Sequence, residues 1–111
     1  MFQVIQLSQY SCPGLTSQWV RASAPSGTIV SVGFQNSGNA QNFWASQMFP
    51  LNAQQGYWQV NNTSLTSTEW WPYVVVFQDS GAAELSANDV RYETGTVPLG
   101  EGVRGPGSSN S

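Results

Sequence analysis

The sequence has no histidine, no lysine, three arginines and one cysteine. Each shortage closes a branch of chemistry. Without histidine there is no Ser-His-Asp triad, no Cys-His pair and no imidazole for a zinc or iron site, and without lysine there is no Schiff-base chemistry. The lone Cys12 permits no internal disulfide, fits a reducing compartment, and beside an apolar strand reads as a packing residue rather than a nucleophile. Three arginines against six acids leave a net charge of −3. That cannot form the basic stripe that replaces counterions along phosphates, so no nucleic acid is expected as a partner. Steering to an anionic membrane fails for the same reason, and no apolar run approaches the ~20 residues of a spanning helix, so no membrane insertion is expected. The opening segment Met-Phe-Gln-Val-Ile-Gln-Leu-Ser has no basic stretch followed by a long apolar one, so synthesis in the cytoplasm without a conventional signal peptide is expected.

Charged residues make up 8% of the chain, against about a quarter in an ordinary domain. The surface must therefore be covered by Gln, Asn, Ser, Thr and Gly. Few charges give little repulsion between copies, which favours association. A compositional bias of the source genome would account for the missing lysine, but arginine has not risen to replace it. Part of the neutrality therefore reflects the role: a surface that meets neutral polar partners or copies of itself.

What is present is apolar and aromatic. Hydrophobic residues are 40% of the chain, with five Trp, four Tyr and five Phe, which is the composition of a folding chain and not of a disordered polymer. At 111 residues it is one domain. The most apolar run, Trp70 to Gln78, is β-branched and aromatic without helical periodicity and predicts the central strand. Pro72 donates nothing to a ladder, so pairing on its side is expected to begin after it, with Tyr73 to Phe77 as the paired core and Trp70 and Trp71 as a wider rim.

Shorter strands are expected around it. Phe2 to Leu7 places Phe2 and Val4 on one face and Ile5 and Leu7 on the other, so both faces are apolar. Cys12-Pro13-Gly14 predicts a turn with positive φ at the glycine. Gln18 to Ala22 sets Trp19 and Arg21 against Val20. After the turn at Pro25-Ser26-Gly27, Thr28 to Phe34 alternates, with Val30, Val32 and Phe34 on one side and Ile29, Ser31 and Gly33 on the other. Asn36 to Asn39 reads as a loop. Gln41 to Phe49 fits a helix through Phe43, Trp44, Gln47 and Met48, or a strand through Phe43, Ala45, Gln47 and Phe49; the strand is preferred because no N-cap precedes it and helix formers are few. Pro50 is expected to end it. Tyr57 to Val60 predicts another strand, followed by a polar connection from Asn61 to Thr68 whose two overlapping glycosylation patterns read as chance matches. Asp79-Ser80-Gly81 marks a turn and Val90 to Glu93 a last strand with Val90 and Tyr92 inward.

Together these predict an all-β antiparallel sandwich or barrel, jelly-roll-like, of six to eight short strands over residues 1–94, with two sheets about ~10 Å apart. Its core should include Val4, Val20, Val30, Val32, Phe34, Val74, Val76 and Val90. Residues 95–111, rich in Gly, Pro and Ser, read as a tail that orders only when something holds it. No internal repeat points to a propeller or trefoil.

All six acids lie between Glu69 and Glu101. Asp79, Glu84, Asp89 and Glu93 offer an ion site or a glycosidase-type pair, but no D-x-D-x-D-G spacing supports one, and loop solvation is the simpler reading. No metal, no cofactor and no enzymatic activity are expected. Two classes of function fit. One is a structural subunit of a virion decoration, fibre or other surface lattice, a homo-oligomer or an assembly of related subunits. The other is a lectin for neutral carbohydrate, in which Trp70, Trp71, Trp58 and Trp44 stack on sugar faces and Gln59, Asn61, Asn62 and Gln47 bond hydroxyls. Adjacent Trp70 and Trp71 point to opposite sides of a strand, so at most one enters a single core. Core or interface packing is the plainer reading of any one tryptophan. Assembly is favoured, because the neutrality runs along the whole chain.

Overall fold

The computed structural model describes residues 1–37 and 42–99, and it is all-β: two antiparallel sheets packed face to face. The first sheet holds β1 (Phe2–Gln6), β2 (Tyr10–Cys12), β4 (Thr28–Asn36) and β8 (Thr68–Phe77). The second holds β3 (Thr16–Ser23), β5 (Phe43–Ala45), β6 (Phe49–Asn52), β7 (Gln55–Asn62) and β9 (Arg91–Pro98). Nine strands are described, more than the six to eight expected, because two lines of chain are broken in the middle. Strands β1 and β2 share one flank of β8, and β5 and β6 share one flank of β7. The layers are thus three and four strands wide, in the orders β1/β2–β8–β4 and β5/β6–β7–β3–β9.

Strand β8 is the centre of the first sheet; against β1 its ladder runs from Tyr73 to Phe77, as expected after Pro72, but β4 pairs through Pro72 to Trp70 and β2 pairs with Thr68 to Trp70. Trp70 faces Tyr10 and Asn36, Trp71 faces Gln35, and Thr68 faces Cys12. Pro72 is tolerated inside the strand because of where its flank lies. The Pro72 carbonyl accepts from Leu7 N at 2.8 Å. Since N–H and C=O of one strand residue point to the same side, the missing donor faces that same flank opposite Leu7, just beyond the end of β1 at Gln6, where the ladder is already ending.

The core is filled by Ile5, Leu7, Cys12, Val20, Ala22, Ile29, Phe43, Trp58, Val60, Trp70, Val74, Val76 and Val90. Val32, Phe34 and Tyr92 pack partly against it. Two expected core residues are outside: Val4 is 68% exposed and Val30 is 44% exposed. For β1 the two faces were separated correctly, but the inward one is that of Ile5 and Leu7. For β4 a register shift between Ile29 and Ser31 inserts Val30 as an extra residue. Ile29 is thereby turned inward and Val30 outward while Val32 and Phe34 keep their inward direction.

Other boundaries move for similar local reasons. The positive φ after Pro13 falls on Leu15 (56°) and not on Gly14. Gly14 is required by close approach, since a Cβ there would lie 2.5 Å from the Leu65 carbonyl. The segment expected as one strand before Pro50 is two short strands separated at Ser46–Met48, and Pro50 lies within β6. Asn61 and Asn62 belong to β7 and Thr68 to β8, so the polar connection shrinks to 63–67. Strand β9 extends to Pro98 and takes in Gly95, which was assigned to the tail. Residues 100–111 of that tail, and 38–41 of the expected loop and strand, lie outside the described residues. No helix among the described residues is long and apolar enough to cross a membrane.

Candidate functional site

The eight polar and aromatic residues picked out from the sequence do not converge on one site; the strand pleat separates them into three groups. Trp70, Trp58 and Asn62 are fully buried. Trp70 projects inward from β8 and its Nε1 donates to Oε1 of Gln18 at 2.8 Å. The Gln18 amide in turn donates to Ser11 O at 2.9 Å and Thr96 Oγ1 at 3.1 Å. The rim expected of Trp70 is therefore core, and its polar handle serves the joint between the sheets. Trp58 points inward from β7 opposite Val20, and its Nε1 has no hydrogen-bond partner. Asn62 donates from Nδ2 to the carbonyls of Cys12 and Thr66 and accepts at Oδ1 from Ser64 N and Oγ. It fastens the 63–67 loop to the Cys12-Pro13 turn, which is a structural task.

The second group lies on the outer face of the four-strand-wide sheet. There Trp44 of β5 stands opposite Asn61, Asn61 opposite Ser17, and Gln59 opposite Trp19. Trp44 is 53% exposed, whereas Asn61, Gln59 and Ser17 are buried although they point away from the core. Asn61 Oδ1 accepts from Ser17 Oγ at 2.6 Å and from Gln59 Nε2 at 3.3 Å. Gln47 is exposed in the link between β5 and β6. Trp19, which the sequence reading did not choose, is half-buried on this face with its ring laid over Gly95, where a Cβ would be 2.5 Å from the ring. Among the described residues, this is the place where an exposed indole and bonded amides lie side by side.

The third group is Trp71 alone, half-buried on the outer face of the first sheet. Its surroundings were missed by sequence reasoning. From one end, the outward rows are Phe2–Phe77–Thr28, Val4–Val75–Ser31, Gln6–Tyr73–Gly33 and Trp71–Gln35, with no charged side chain before Glu69. Phe2 is 69% exposed and Phe77 40%, and their rings meet at 4.9 Å between centroids. The signal was present in the sequence: a strand apolar on both faces, in a sandwich with one core, has to show one of them.

Titratable groups add little reactivity. Burial pushes the Cys12 thiol up from its ordinary value, against a weaker opposing contact from Thr16, so it stays protonated and packed. Asp89 accepts from Ser86 N at 2.8 Å and fixes the 3-10 turn at Ala87–Asp89. Among the described residues no three of His, Cys, Asp and Glu gather to hold a metal ion.

In class the protein is a small two-sheet antiparallel β-sandwich, and its chain is poor in charged residues. No family model, curated protein or solved structure matches the chain.

Proposed function

We propose that the protein is a non-catalytic assembly subunit, built to pack against copies of itself through the outer face of its three-strand-wide sheet. The observation that carries this reading is the uncharged apolar face of Phe2, Val4, Val75 and Phe77, extended by Tyr73 and Trp71. Exposed apolar residues scattered singly need no explanation, but a contiguous row of them on a rigid sheet marks a surface that is covered in use. A second copy suits it. The face has no charge to be matched, so it is complementary to itself, and a net charge of −3 leaves little long-range repulsion to overcome. Such packing serves a surface lattice, a fibre or a virion decoration equally well.

A second reading rests on a different observation. Trp44, exposed beside the bonded amides of Gln59 and Asn61, offers a ring and hydrogen-bonding groups to a neutral sugar.

The two readings separate in solution. Light scattering across a concentration series reads the mass, and tryptophan emission is recorded with a panel of neutral sugars. Assembly predicts a mass that exceeds the monomer and emission that ignores every sugar. A monomer at all concentrations whose emission saturates with one sugar would remove the assembly reading and establish the second.

A further inference from the structure

Only two of the described side chains are cations, Arg21 and Arg91, and both line the same pocket. It lies on the outer face of the second sheet, holds about 430 Å³, and is lined by Arg21, Ser23, Gln55, Arg91, Tyr92 and Glu93. The register explains the meeting. Arg21 and Ser23 are two apart on β3 and so share a face. On β9, Arg91 stands directly opposite Ser23 and Glu93 directly opposite Arg21, while on β7 Gln55 stands opposite Ser23 from the other side. The two arginines are thus diagonal neighbours across Ser23, a spacing of roughly 7–8 Å between backbones that long side chains bridge easily.

The guanidinium of Arg21 leans toward Gln55, donating from Nη2 to Oε1 at 3.2 Å. That is its one side-chain hydrogen bond among the described residues, and Arg91 makes none. The fork of Arg21 is held in place by Gln55 and not consumed by Glu93. Most of the N–H donors of both arginines remain for something else, above a serine hydroxyl. Glu93 stands opposite Arg21 and offsets one of the two positive charges, which leaves an excess of one among the lining residues.

We infer that Arg21, Arg91 and Ser23 form a binding site for one carboxylate group, separate from the apolar face and from Trp44. The carboxylate lies over Ser23, takes a forked pair of hydrogen bonds from Arg91 and further ones from Arg21 and the serine hydroxyl. A monoanion fits better than a dianion such as phosphate, because Glu93 already contributes one negative charge and the site is left with a net charge of one. Two sources supply that group: an acidic monosaccharide, or an acidic segment of a neighbouring protein such as the exposed Asp79–Glu84 loop of another copy.

The test is a titration of the full chain, followed by amide resonances at low, constant ionic strength. The probes are glucuronate, glucose as its uncharged counterpart, and a blocked peptide of the sequence Asp-Ser-Gly-Ala-Ala-Glu. Saturable shifts centred on Ser23, Gln55 and Arg91 are expected with glucuronate or with the peptide and not with glucose, and the tighter of the two identifies the source. Arg91→Gln, an exposed substitution that leaves the fold intact, is expected to weaken binding roughly tenfold, the equivalent of one charge-assisted contact. Arg21→Gln should do the same, with its spectrum confirming the fold. If neither acidic probe gives saturable shifts at these residues, or if Arg91→Gln binds as well as the native chain, the site does not exist.

Discussion

The indole of Trp70, on the central strand of one sheet, donates to the side-chain carbonyl of Gln18, on an interior strand of the other, at 2.8 Å. Gln18 then donates to Ser11 O in the first sheet and Thr96 Oγ1 in the second. A single buried amide therefore makes three hydrogen bonds, two of them to the opposite layer, and each of its hydrogen-bonding groups is used. Buried polar groups satisfied to this degree fix one relative placement of the sheets, whereas an all-valine interface would tolerate sliding. Phe43 stands close by, its ring centroid 6.1 Å from that of Trp70 and 5.1 Å from that of Phe34. The polar tie is thus enclosed by rings that exclude water.

Two buried tryptophans should respond differently to the same substitution. Trp70→Phe removes a donor, leaves Gln18 Oε1 unpaired in the core and opens a cavity, and is expected to cost about 2–4 kcal/mol. Trp58→Phe opens a similar cavity but also removes an Nε1–H that has no partner. Relief of that desolvated group offsets part of the cavity, so its cost should be about 2 kcal/mol smaller than that of Trp70→Phe. Urea unfolding of the two variants, analysed with a common slope, measures the difference; equal costs would refute it.

Glycines separate in the same manner. At Gly14 an added Cβ would meet the Leu65 carbonyl at 2.5 Å and Ser64 O at 2.9 Å, backbone atoms of a loop that Asn62 holds in place. Gly14→Ala should cost about 3 kcal/mol by overpacking. At Gly81, with φ 90°, nothing lies within 4 Å. Gly81→Ala therefore meets only backbone strain, about 1 kcal/mol. Thermal unfolding ranks the two.

Much of this architecture could be read from residue patterns, and the misreadings have definite causes. Alternation located β3, β7 and β8 because their inward faces carry Val20, Val60, Val74 and Val76 at a period of two. It failed at Val30, since a bulge inserts one residue without any mark in composition and reverses the faces before it. It also could not choose between Val4 and Ile5, because both faces of β1 are apolar and the choice depends on its register against β8, where Val4 stands opposite Val75 and Ile5 opposite buried Val74. Pro72 marked where the β1 ladder starts, at Tyr73, but not where the strand starts, because a missing donor interrupts one flank only and β4 pairs along the other. The candidate residues were scattered because sequence identifies a tryptophan and not its side. Trp70 and Trp71 had to diverge, but that Trp70 would be bonded by Gln18 is a fact of tertiary packing. The Arg21–Arg91 meeting required the β3–β9 register, which no local pattern contains.

Alkaline pH should destabilise the protein through a small set of groups. The Tyr10 hydroxyl is pushed up to about 12 from 10.0, chiefly by burial and secondarily by Tyr92. Folding thus favours its neutral form. Below pH 10 the folded and unfolded chains are equally protonated and the contribution is complete; from there toward 12 the unfolded chain releases its proton first, and stability falls. Buried Cys12 shifts in the same direction and adds to the fall from the range of an ordinary thiol upward. No lysine titrates in this range to obscure the effect. Urea midpoints measured across the alkaline range should decline in the native chain and decline less steeply in Tyr10→Phe; parallel curves would count against the assignment.

A charge placed on the apolar sheet face should separate assembly from folding. Val4 is 68% exposed in a row with Val75 and Ser31, and neither neighbour carries charge. Val4→Lys keeps the stem of the side chain on the sheet and its ammonium in water, so monomer stability should change by less than about 0.5 kcal/mol. In a face-to-face contact between copies that ammonium is buried without a partner, and removing one copy from the other is its only relief. The mass by light scattering should drop to that of the monomer while the urea midpoint of the dilute chain is unchanged. Thr63→Lys, in the exposed 63–67 loop, adds the same charge away from this face and should leave the mass as it is. If both substitutions dissociate the assembly equally, net charge and not the Phe2–Phe77 face controls it. If neither does, the contact between copies lies elsewhere on the molecule.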